Sequence, residues 1–224
     1  MKREVVLTQD GSSSLYLPDK DEHYHSSYGA VQESKHVFIK NGLLRIMDGR
    51  SQVEILEVGF GTGLNALLSL ISATENKKNI KYQAIEPYPL TDNEIEQLNY
   101  DRFVDTKRHL SNFNKLHIIP FGQWHQIDTY FQLIKYQKLL LDCSFENKFD
   151  LIYYDAFGPG AQPEMWESES IEHVVNHLKN DGILVTYCVK GSVKRILKSL
   201  GLQVQKLPGP PGKREMMIAT AHRC

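Results

Sequence analysis

The chain reads Glu57-Val58-Gly59-Phe60-Gly61-Thr62-Gly63 at the point where a predicted strand is followed by a predicted helix. The residues before it, Val53 to Val58, are mostly apolar, as in a strand buried inside a parallel sheet. The residues after it, Leu64 to Ala73, carry apolar side chains at helical spacing. A glycine-rich turn between strand and helix is therefore predicted, and its bare backbone can approach a ligand closely.

The spacing of these glycines favours S-adenosylmethionine (SAM) over a dinucleotide. A dinucleotide fingerprint needs its third glycine where this chain has Leu64. A Gly-x-Gly-x-Gly loop fits SAM, which has no pyrophosphate to cradle and packs against the loop with its methionine part. The cofactor-binding residues predicted here are Glu57, Gly59, Gly61 and Gly63. The alternative is a tight turn that binds no ligand.

Two further acidic residues are candidates for cofactor binding. Glu86 ends a predicted strand over 81–86, and a carboxylate at that point can accept both ribose hydroxyls. Asp142 follows the apolar run Leu139-Leu140-Leu141, and at the end of a third strand it would face the adenine amino group. A solvated turn is the alternative for Asp142.

The fourth predicted strand ends in the loop Asp155-Ala156-Phe157-Gly158-Pro159-Gly160. Ligands of open α/β sheets bind outside the carboxyl ends of the strands, so Asp155 and the glycine loop should border one cleft. A carboxylate there can orient an amine and help to remove its proton, which makes Asp155 the predicted catalytic residue. Phe157 and Trp166 suit a pocket for a flat ring. The alternatives are that Asp155 caps a turn and that Trp166 belongs to the core.

Strands and helices alternate over most of the chain, which predicts an α/β fold of the Rossmann-like methyltransferase type. The doubly wound, mostly parallel sheet should end in an antiparallel C-terminal strand pair over 202–207 and 215–221. Residues 1–45 are predicted as an N-terminal extension that packs on the core, and residues 46–224 as the methyltransferase domain. Within the extension we expect a hairpin around the alternating Val5, Leu7, Leu15 and Leu17. A helical turn over 36–44 should end at a glycine cap, Gly42.

Composition is that of an ordinary globular protein, with 224 residues, 41% hydrophobic and 24% charged. The sequence contains no apolar run of the ~18–20 residues that a membrane span needs. The three cysteines, Cys143, Cys188 and Cys224, lack metal-site spacing, which favours a reduced, cytoplasmic protein. His173 and His177 are four residues apart on a predicted helix but have no third ligand at suitable spacing, so no metal is expected.

The charges are unevenly distributed along the chain. The net charge is only −1, but from Cys188 onward eight basic residues stand against Glu215 alone. Such a basic end on an acidic body predicts a surface that faces a polyanion, although a solvated helix face is the alternative. The basic residues are Lys190, Lys194, Arg195, Lys198, Lys206, Lys213, Arg214 and Arg223.

Several segments in this order resemble one family. The chain is similar to the methyltransferase half of MnmC, which also occurs free-standing as MnmD, the tRNA (5-methylaminomethyl-2-thiouridine) methyltransferases. The segments that carry the resemblance are Tyr28 to Ile39, Glu57 to Asn65, Glu86-Pro87-Tyr88-Pro89-Leu90, Asp155-Ala156-Phe157, Pro163-Glu164-Met165-Trp166 and Lys213-Arg214-Glu215-Met216.

The resemblance implies SAM as methyl donor and, as acceptor, the primary amine of 5-aminomethyl-(2-thio)uridine at the tRNA wobble position. It implies that Asp155 lies beside the transferred methyl group. Substrate-binding residues are expected at Tyr28, Phe157, Trp166, Lys213 and Arg214, the last two holding phosphates of the anticodon region. We expect no FAD-dependent oxidase part in this chain, so a separate enzyme would make the aminomethyl group. The alternatives are an aminopropyltransferase acting on a polyamine and a non-catalytic SAM- or RNA-binding module.

Overall fold

The computed structural model describes residues 2–103 and 107–221, without the side chains of residues 107–110. Arg223 and Cys224, which entered the charge and cysteine arguments, lie outside the described residues. The chain begins with a small antiparallel sheet of β1 (Glu4–Leu7), β2 (Ser13–Leu17) and β3 (Glu22–His23). Val5 pairs with Leu15 across the first two strands, which confirms the predicted hairpin.

A continuous helical segment follows this sheet. It consists of α1 (Ala30–Ser34), a π-helical stretch (Lys35–Leu43) and α2 (Leu44–Met47). The predicted cap at Gly42 is wrong, because the helix runs through this residue. A Cβ on Gly42 would lie 3.2 Å from the side chains of Tyr153 and Val185, so its glycine allows close packing on the sheet. The boundary predicted after residue 45 falls inside this segment, whose buried side chains belong to the main apolar core.

The main sheet has eight strands in the order β10-β11-β9-β8-β4-β5-β7-β6. Its five central strands, from β9 to β7 in that order, are parallel, while β6, β11 and β10 pair antiparallel. This arrangement confirms the predicted doubly wound, mostly parallel sheet with an antiparallel C-terminal strand. The strands are β4 (Gln52–Val58), β5 (Asn79–Ile85), β6 (His125–Asp128), β7 (Phe131–Tyr136), β8 (Phe149–Tyr154), β9 (Leu178–Thr186), β10 (Gln203–Pro208) and β11 (Glu215–Thr220).

Helices cover both faces of this sheet. The helices after α2 are α3 (Leu64–Asn76), α4 (Asp92–Glu96), α5 (Lys107–Ile118), α6 (Ser168–Val175) and α7 (Gly191–Ser199). Side chains of β4 alternate between two apolar clusters, Ile55 joining one and Leu56 the other. This alternation explains why the central strands are apolar at consecutive positions. None of the described helices is long and apolar enough to cross a lipid bilayer.

The chain reverses its direction of strand addition at β4. Its neighbours are β5 on one side and β8 on the other, so a crevice opens beyond the carboxyl ends of β4 and β8. The glycine loop follows β4, and Asp155 follows β8 immediately. The fold therefore brings both predicted functional loops to the same crevice.

Candidate active site

A cavity of about 360 Å³ occupies this crevice. Gly59, Gly61, Glu86, Asp155 and Phe157 line it, each at or just beyond the end of a parallel strand. Residues 21–28 of the N-terminal segment form the opposite wall. The floor is therefore contributed by the sheet and the cover by the segment that precedes the helices.

Each of the three positions in the loop requires a glycine for a different structural reason. A Cβ on Gly59 would lie 2.6 Å from the Asp155 carbonyl oxygen, so this glycine lets the loop touch the end of β8. A Cβ on Gly61, whose φ is +52°, would point at the Tyr24 ring in the cavity. Gly63, with φ of +72°, faces Phe60 and His117 and is not among the lining residues. Of these three predicted glycines, Gly59 and Gly61 line the cavity and Gly63 does not.

Glu86 stands at the end of β5 with its carboxylate against the glycine loop. Its Oε2 accepts the Gly61 amide proton at 2.8 Å, and its Oε1 accepts that of Tyr88 at 2.9 Å. Burial raises the pKa of this carboxyl, while the two backbone donors oppose the shift. Together with the apolar Leu139 and Leu140 on the cavity wall, this set fits SAM: a carboxylate for ribose hydroxyls, bare backbone at Gly61 and an apolar surface for a base.

Asp155 is half-buried on the cavity floor. Its Oδ2 accepts a hydrogen bond from Asn65 Nδ2 at 2.9 Å. Burial and the nearby Glu33 carboxylate raise its pKa to about 7, against the opposing effects of Asn65 and Lys213. A carboxyl group with such a pKa can exchange a proton with a bound amine near neutral pH.

Glu57 was predicted as a cofactor contact, but the structure places it beneath the cavity floor. Its side chain is fully buried and is absent from the lining. Its Oε1 accepts from Asn65 Nδ2 at 3.0 Å, so the same amide nitrogen binds Glu57 and Asp155. The prediction is corrected in this respect: alternation along β4 turns Glu57 inward, away from the ligand space.

Lys213 also differs from its predicted role. Its ammonium group is bonded to Glu33 Oε1 and lies 4.1 Å from the centre of the Tyr187 ring. Glu33 Oε2 accepts the Ser26 amide proton at 2.7 Å. Lys213 does line the cavity, but its charge is engaged by the protein and is not presented to a phosphate. Arg214, the next residue, is exposed and forms no ion pair with any residue the structure describes.

The predicted aromatic contacts divide into two groups. Tyr28 and Phe157 line the cavity, and Phe157 packs edge-on against Tyr24 with ring centres 4.8 Å apart. Trp166 lies behind the cavity, 5% exposed, and donates its indole N–H to the Phe157 carbonyl at 2.7 Å. The structure therefore corrects the expectation of direct substrate contact at Trp166, whose packing holds the Phe157 loop in place.

Asp142 is not at a strand end. The strand that precedes it, β7, stops at Tyr136, and Asp142 is exposed in a short helical turn, Leu140–Asp142. Leu139 and Leu140 line the cavity, whereas Asp142 does not. The expectation that this carboxylate faces the adenine is corrected, because the apolar run forms a loop and turn instead of a strand.

The paired histidines serve the protein itself. His173 Nε2 bonds the Cys143 carbonyl at 3.0 Å, and His177 Nδ1 bonds the His173 carbonyl at 3.0 Å. Among the side chains that the structure describes, those of residues 2–103 and 111–221, no group of three or more His, Cys, Asp or Glu could hold a metal ion.

Sequence reasoning assigned no role to three residues that border the site. Asn65 joins Glu57 to Asp155, Glu33 binds Lys213, and Tyr24 covers Gly61. For Asn65 a signal existed, because a polar residue in the first turn after a glycine loop faces the crevice. Glu33 and Tyr24 come from the N-terminal segment, whose placement over the crevice no local pattern indicates.

Comparisons with known proteins agree with this geometry. The sequence model of a family described as S-adenosyl-L-methionine-dependent methyltransferase matches residues 105–222. The bifunctional protein MnmC of Leptospira interrogans, named for tRNA 5-methylaminomethyl-2-thiouridine biosynthesis, is 32% identical over 227 residues, covering 96% of this chain and 35% of that protein. The protein of the same name from Cupriavidus metallidurans is 29% identical over 237 residues, covering 96% of this chain and 33% of that protein.

A solved structure has the same fold. The crystal structure of MnmC2 from Aquifex aeolicus superposes with a TM-score of 0.81 at 24% identity, covering 100% of this chain and 71% of that chain. The chain spans about a third of the length of the curated relatives it matches.

Proposed function

The chain belongs to the S-adenosyl-L-methionine-dependent methyltransferase family, and we propose that its acceptor is the 5-aminomethyl group of wobble (2-thio)uridine in tRNA. The product would be 5-methylaminomethyl-(2-thio)uridine. The names of the relatives that match 96% of the chain support this acceptor. The proposed reaction is the methylation of an aminomethyl group already present on the tRNA, and a tRNA substrate would place the protein in the cytoplasm.

The observation that carries the proposal is the carboxyl group of Asp155 beside the glycine loop. An alkylammonium ion has no free electron pair, so the enzyme must bind the neutral amine or accept its proton. A carboxyl whose pKa is raised to about 7 is better matched to that proton than an ordinary aspartate. Asp155 meets this requirement at the cavity floor, where Asn65 fixes one of its oxygens.

Bound SAM supplies a methyl group already activated on a sulfonium ion. The protein then has mainly to position the amine in line with that group, and Asp155 would hold the amine and take up its proton. Gly59 and Gly61 leave space for the donor, and Glu86 would bind its ribose. Attack of the nitrogen on the methyl carbon would break the carbon–sulfur bond, release S-adenosylhomocysteine and leave the methylated nitrogen positively charged. That nitrogen would return to a neutral amine by losing its proton to Asp155, or through it to water.

The rim of the cavity suits an unstacked nucleoside. Tyr28 and Tyr88 line the cavity and are 47% and 54% exposed, so each ring has surface on which a base could stack. Single-stranded loops of RNA are commonly recognised by bases splayed onto aromatic side chains. We assign Tyr28 and Tyr88 this role for the wobble nucleoside and its neighbours.

The phosphate contacts are assigned to exposed cations of the C-terminal part of the chain. Arg214 follows the cavity residue Lys213 directly and is exposed. A second group of exposed cations is found at α7. Lys190 immediately precedes this helix, and Arg195 and Lys198 lie on it. Such contacts would position the RNA backbone without reading its sequence.

Mass spectrometry of nucleosides tests the proposal. The chain is incubated with SAM and tRNA that carries 5-aminomethyl-2-thiouridine, and the tRNA is digested. We expect the aminomethyl nucleoside to gain one methyl group, and unmodified tRNA and putrescine to remain unchanged. Transfer to putrescine from decarboxylated SAM would instead indicate a polyamine enzyme, and transfer to neither would leave only a binding function.

A further inference from the structure

One amide group separates two carboxyl groups at the floor of the cavity. Asn65 Nδ2 lies 3.0 Å from Glu57 Oε1 and 2.9 Å from Asp155 Oδ2, so its two hydrogens are both committed. Asn65 is in the first turn of α3 and 3% exposed, so water does not compete for it. Two carboxylates so close together cannot both be charged at low energetic cost.

The remaining polar atoms around Glu57 have no hydrogen-bond partner among the described residues. They are Glu57 Oε2, Asn65 Oδ1 and the hydroxyl of Tyr82, which faces Glu57. A buried polar atom without a partner costs about 1–3 kcal/mol. If Glu57 were a carboxylate, the Tyr82 hydroxyl could donate to it, as its effect on the Glu57 pKa indicates, but Asn65 Oδ1 would still lack a donor. A proton on Glu57 adds the second donor that this group of three oxygens needs. The arrangement therefore accommodates a neutral carboxylic acid better than a carboxylate.

The two carboxyl groups differ in their access to solvent. Glu57 is 0% exposed, whereas Asp155 opens onto the cavity. Enclosure penalises the charged form, so the proton resides on the enclosed partner and the charge on the open one. Burial and the proximity of Asp155 raise the pKa of Glu57 well above its ordinary value.

We propose that Glu57 stays protonated throughout the reaction and, through Asn65, fixes and orients the Asp155 carboxylate, so that Glu57 and Asn65 are positioning residues. The inference rests on the proposed function in one respect, the role of Asp155 as acceptor of the amine proton. It assigns to Glu57 a task on the catalytic carboxylate in place of a contact with the cofactor.

Other ionisable groups also face this pair. Glu33, Lys213 and Tyr187 face Asp155 from the N-terminal segment, the C-terminal loop and the end of β9. Three groups face Glu57. Tyr82 lies on β5, Glu86 directly follows that strand, and Tyr153 lies on β8. Glu33 and Lys213 act on the pKa of Asp155 in opposite directions. The Asn65 bridge is the contact that links the two carboxyl groups.

Carbon NMR of the carboxyl groups tests the inference without any substrate. The full chain is labelled at Asp and Glu carboxyl carbons, and signals are assigned by their loss in Glu57→Gln and Asp155→Asn. We expect the Glu57 signal to keep the shift of a protonated acid through neutral pH, while the Asp155 signal titrates. In Asn65→Leu the Asp155 titration should move upward by about one pH unit, because a donor to its charged form is lost.

Kinetics with aminomethyl tRNA supply the second readout. Asn65→Leu should lower kcat roughly tenfold or more and shift the acid limb of the pH profile upward with the NMR titration. Glu57→Leu should lower kcat to a similar extent as Asn65→Leu. Glu57→Gln has a neutral side chain of the same shape as the protonated acid, so it should retain most of the kcat of the unsubstituted protein. The matched control is Asn112→Leu, because Asn112 is also buried and donates to a carboxylate, Asp128, at 2.7 Å in a different region. It should leave the pH profile unmoved.

Two results would overturn the inference. The first is a Glu57 signal that titrates with an ordinary carboxyl pKa, and the second is an Asp155 titration that is the same in Asn65→Leu and the unsubstituted protein. An unsubstituted protein that fails to methylate tRNA, with the NMR titrations as expected, would reject the proposed function and leave the protonation of Glu57 supported.

Discussion

Lys213 binds Glu33 across 180 positions of sequence, and this ion pair joins the C-terminal loop to the first helix at the wall of the cavity. The Glu33 side chain is only 6% exposed. The pair therefore both fastens the N-terminal segment over the site and sets the charge near Asp155. A cation chosen from the sequence as a phosphate contact is thus a structural and electrostatic element.

Replacing Lys213 by Ala should destabilise the protein, because the Glu33 carboxylate would keep its charge with little solvent. We expect a loss of about 2 kcal/mol in the free energy of unfolding, less than a fully enclosed pair would give. The matched control is Lys206→Ala, whose pair with Glu215 is 35% and 36% exposed and should contribute under ~1 kcal/mol. Urea denaturation measures both; equal effects would mean that the Glu33 pair behaves as a surface contact.

Arg214→Ala should weaken tRNA binding and reduce its dependence on salt. Each phosphate contact with single-stranded RNA contributes about −0.7 to the slope of log K against log salt, so the slope should become shallower by about that amount. Lys213→Ala should not change the slope, because its charge is already neutralised by Glu33. Filter binding over a salt series decides this. An unchanged slope in Arg214→Ala would transfer the contact to the cations of α7.

Gly61→Ala should weaken SAM binding, because its Cβ would enter the cavity 3.2 Å from the Tyr24 ring. We expect at least a tenfold rise in Kd by calorimetry. Gly49→Ala is the matched control, since Gly49 has φ of +70° and no atom within 4 Å of an added Cβ. It carries the same backbone strain, about 1–2 kcal/mol, without crowding. Equal SAM affinity in both variants would remove Gly61 from the cofactor site.

The rate of methyl transfer should rise with pH through about 7, because Asp155 must be ionised to accept the amine proton and its pKa is raised to about 7. Asp155→Asn should lower kcat by about 10²–10⁴-fold and abolish this limb, with SAM affinity nearly unchanged. Single-turnover kinetics across pH 5–9, with calorimetry of SAM, measures both quantities. A variant within a few-fold of the unsubstituted protein would exclude Asp155 from proton transfer.

The same shift in pKa affects stability. Asp155 has an ordinary pKa of about 3.9 when unfolded and about 7 when folded. Between these values the folded state binds more protons than the unfolded state, so this contribution to stability falls as pH rises from about 4 to about 7. Asp155→Asn lacks this fall and should gain roughly 3 kcal/mol relative to the unsubstituted protein between pH 4.5 and pH 8. Denaturation curves measure the free energy of unfolding of both proteins at the two pH values. If this free energy changes with pH by the same amount in both proteins, the raised pKa of Asp155 is contradicted.

Local patterns in the sequence determined the architecture. Three of these patterns involve only residues close together in the chain. They are the apolar run before Gly59, the apolar residues at helical spacing after Gly63, and the acidic Glu86 at the end of a predicted strand. The capping box at the start of α4, in which Thr91 and Glu94 bond each other's backbone, is likewise formed by residues only three positions apart. Because the carboxyl ends of parallel strands meet at one edge of a sheet, the convergence of the glycine loop and Asp155 also followed from the sequence.

The tertiary structure alone decided which side chains reach the ligand space. The burial of Glu57 depends on α3, which supplies Asn65 over that side of β4, and the pairing of Lys213 depends on a carboxylate 180 positions away. Asp142 and Trp166 lie outside the cavity for similar reasons. The course of a loop places Asp142, and packing against residues of other segments places the Trp166 ring. Charge and polarity are written in the sequence, but a side chain's partner, and with it the pKa and role of the group, is set by contacts between residues far apart in the chain.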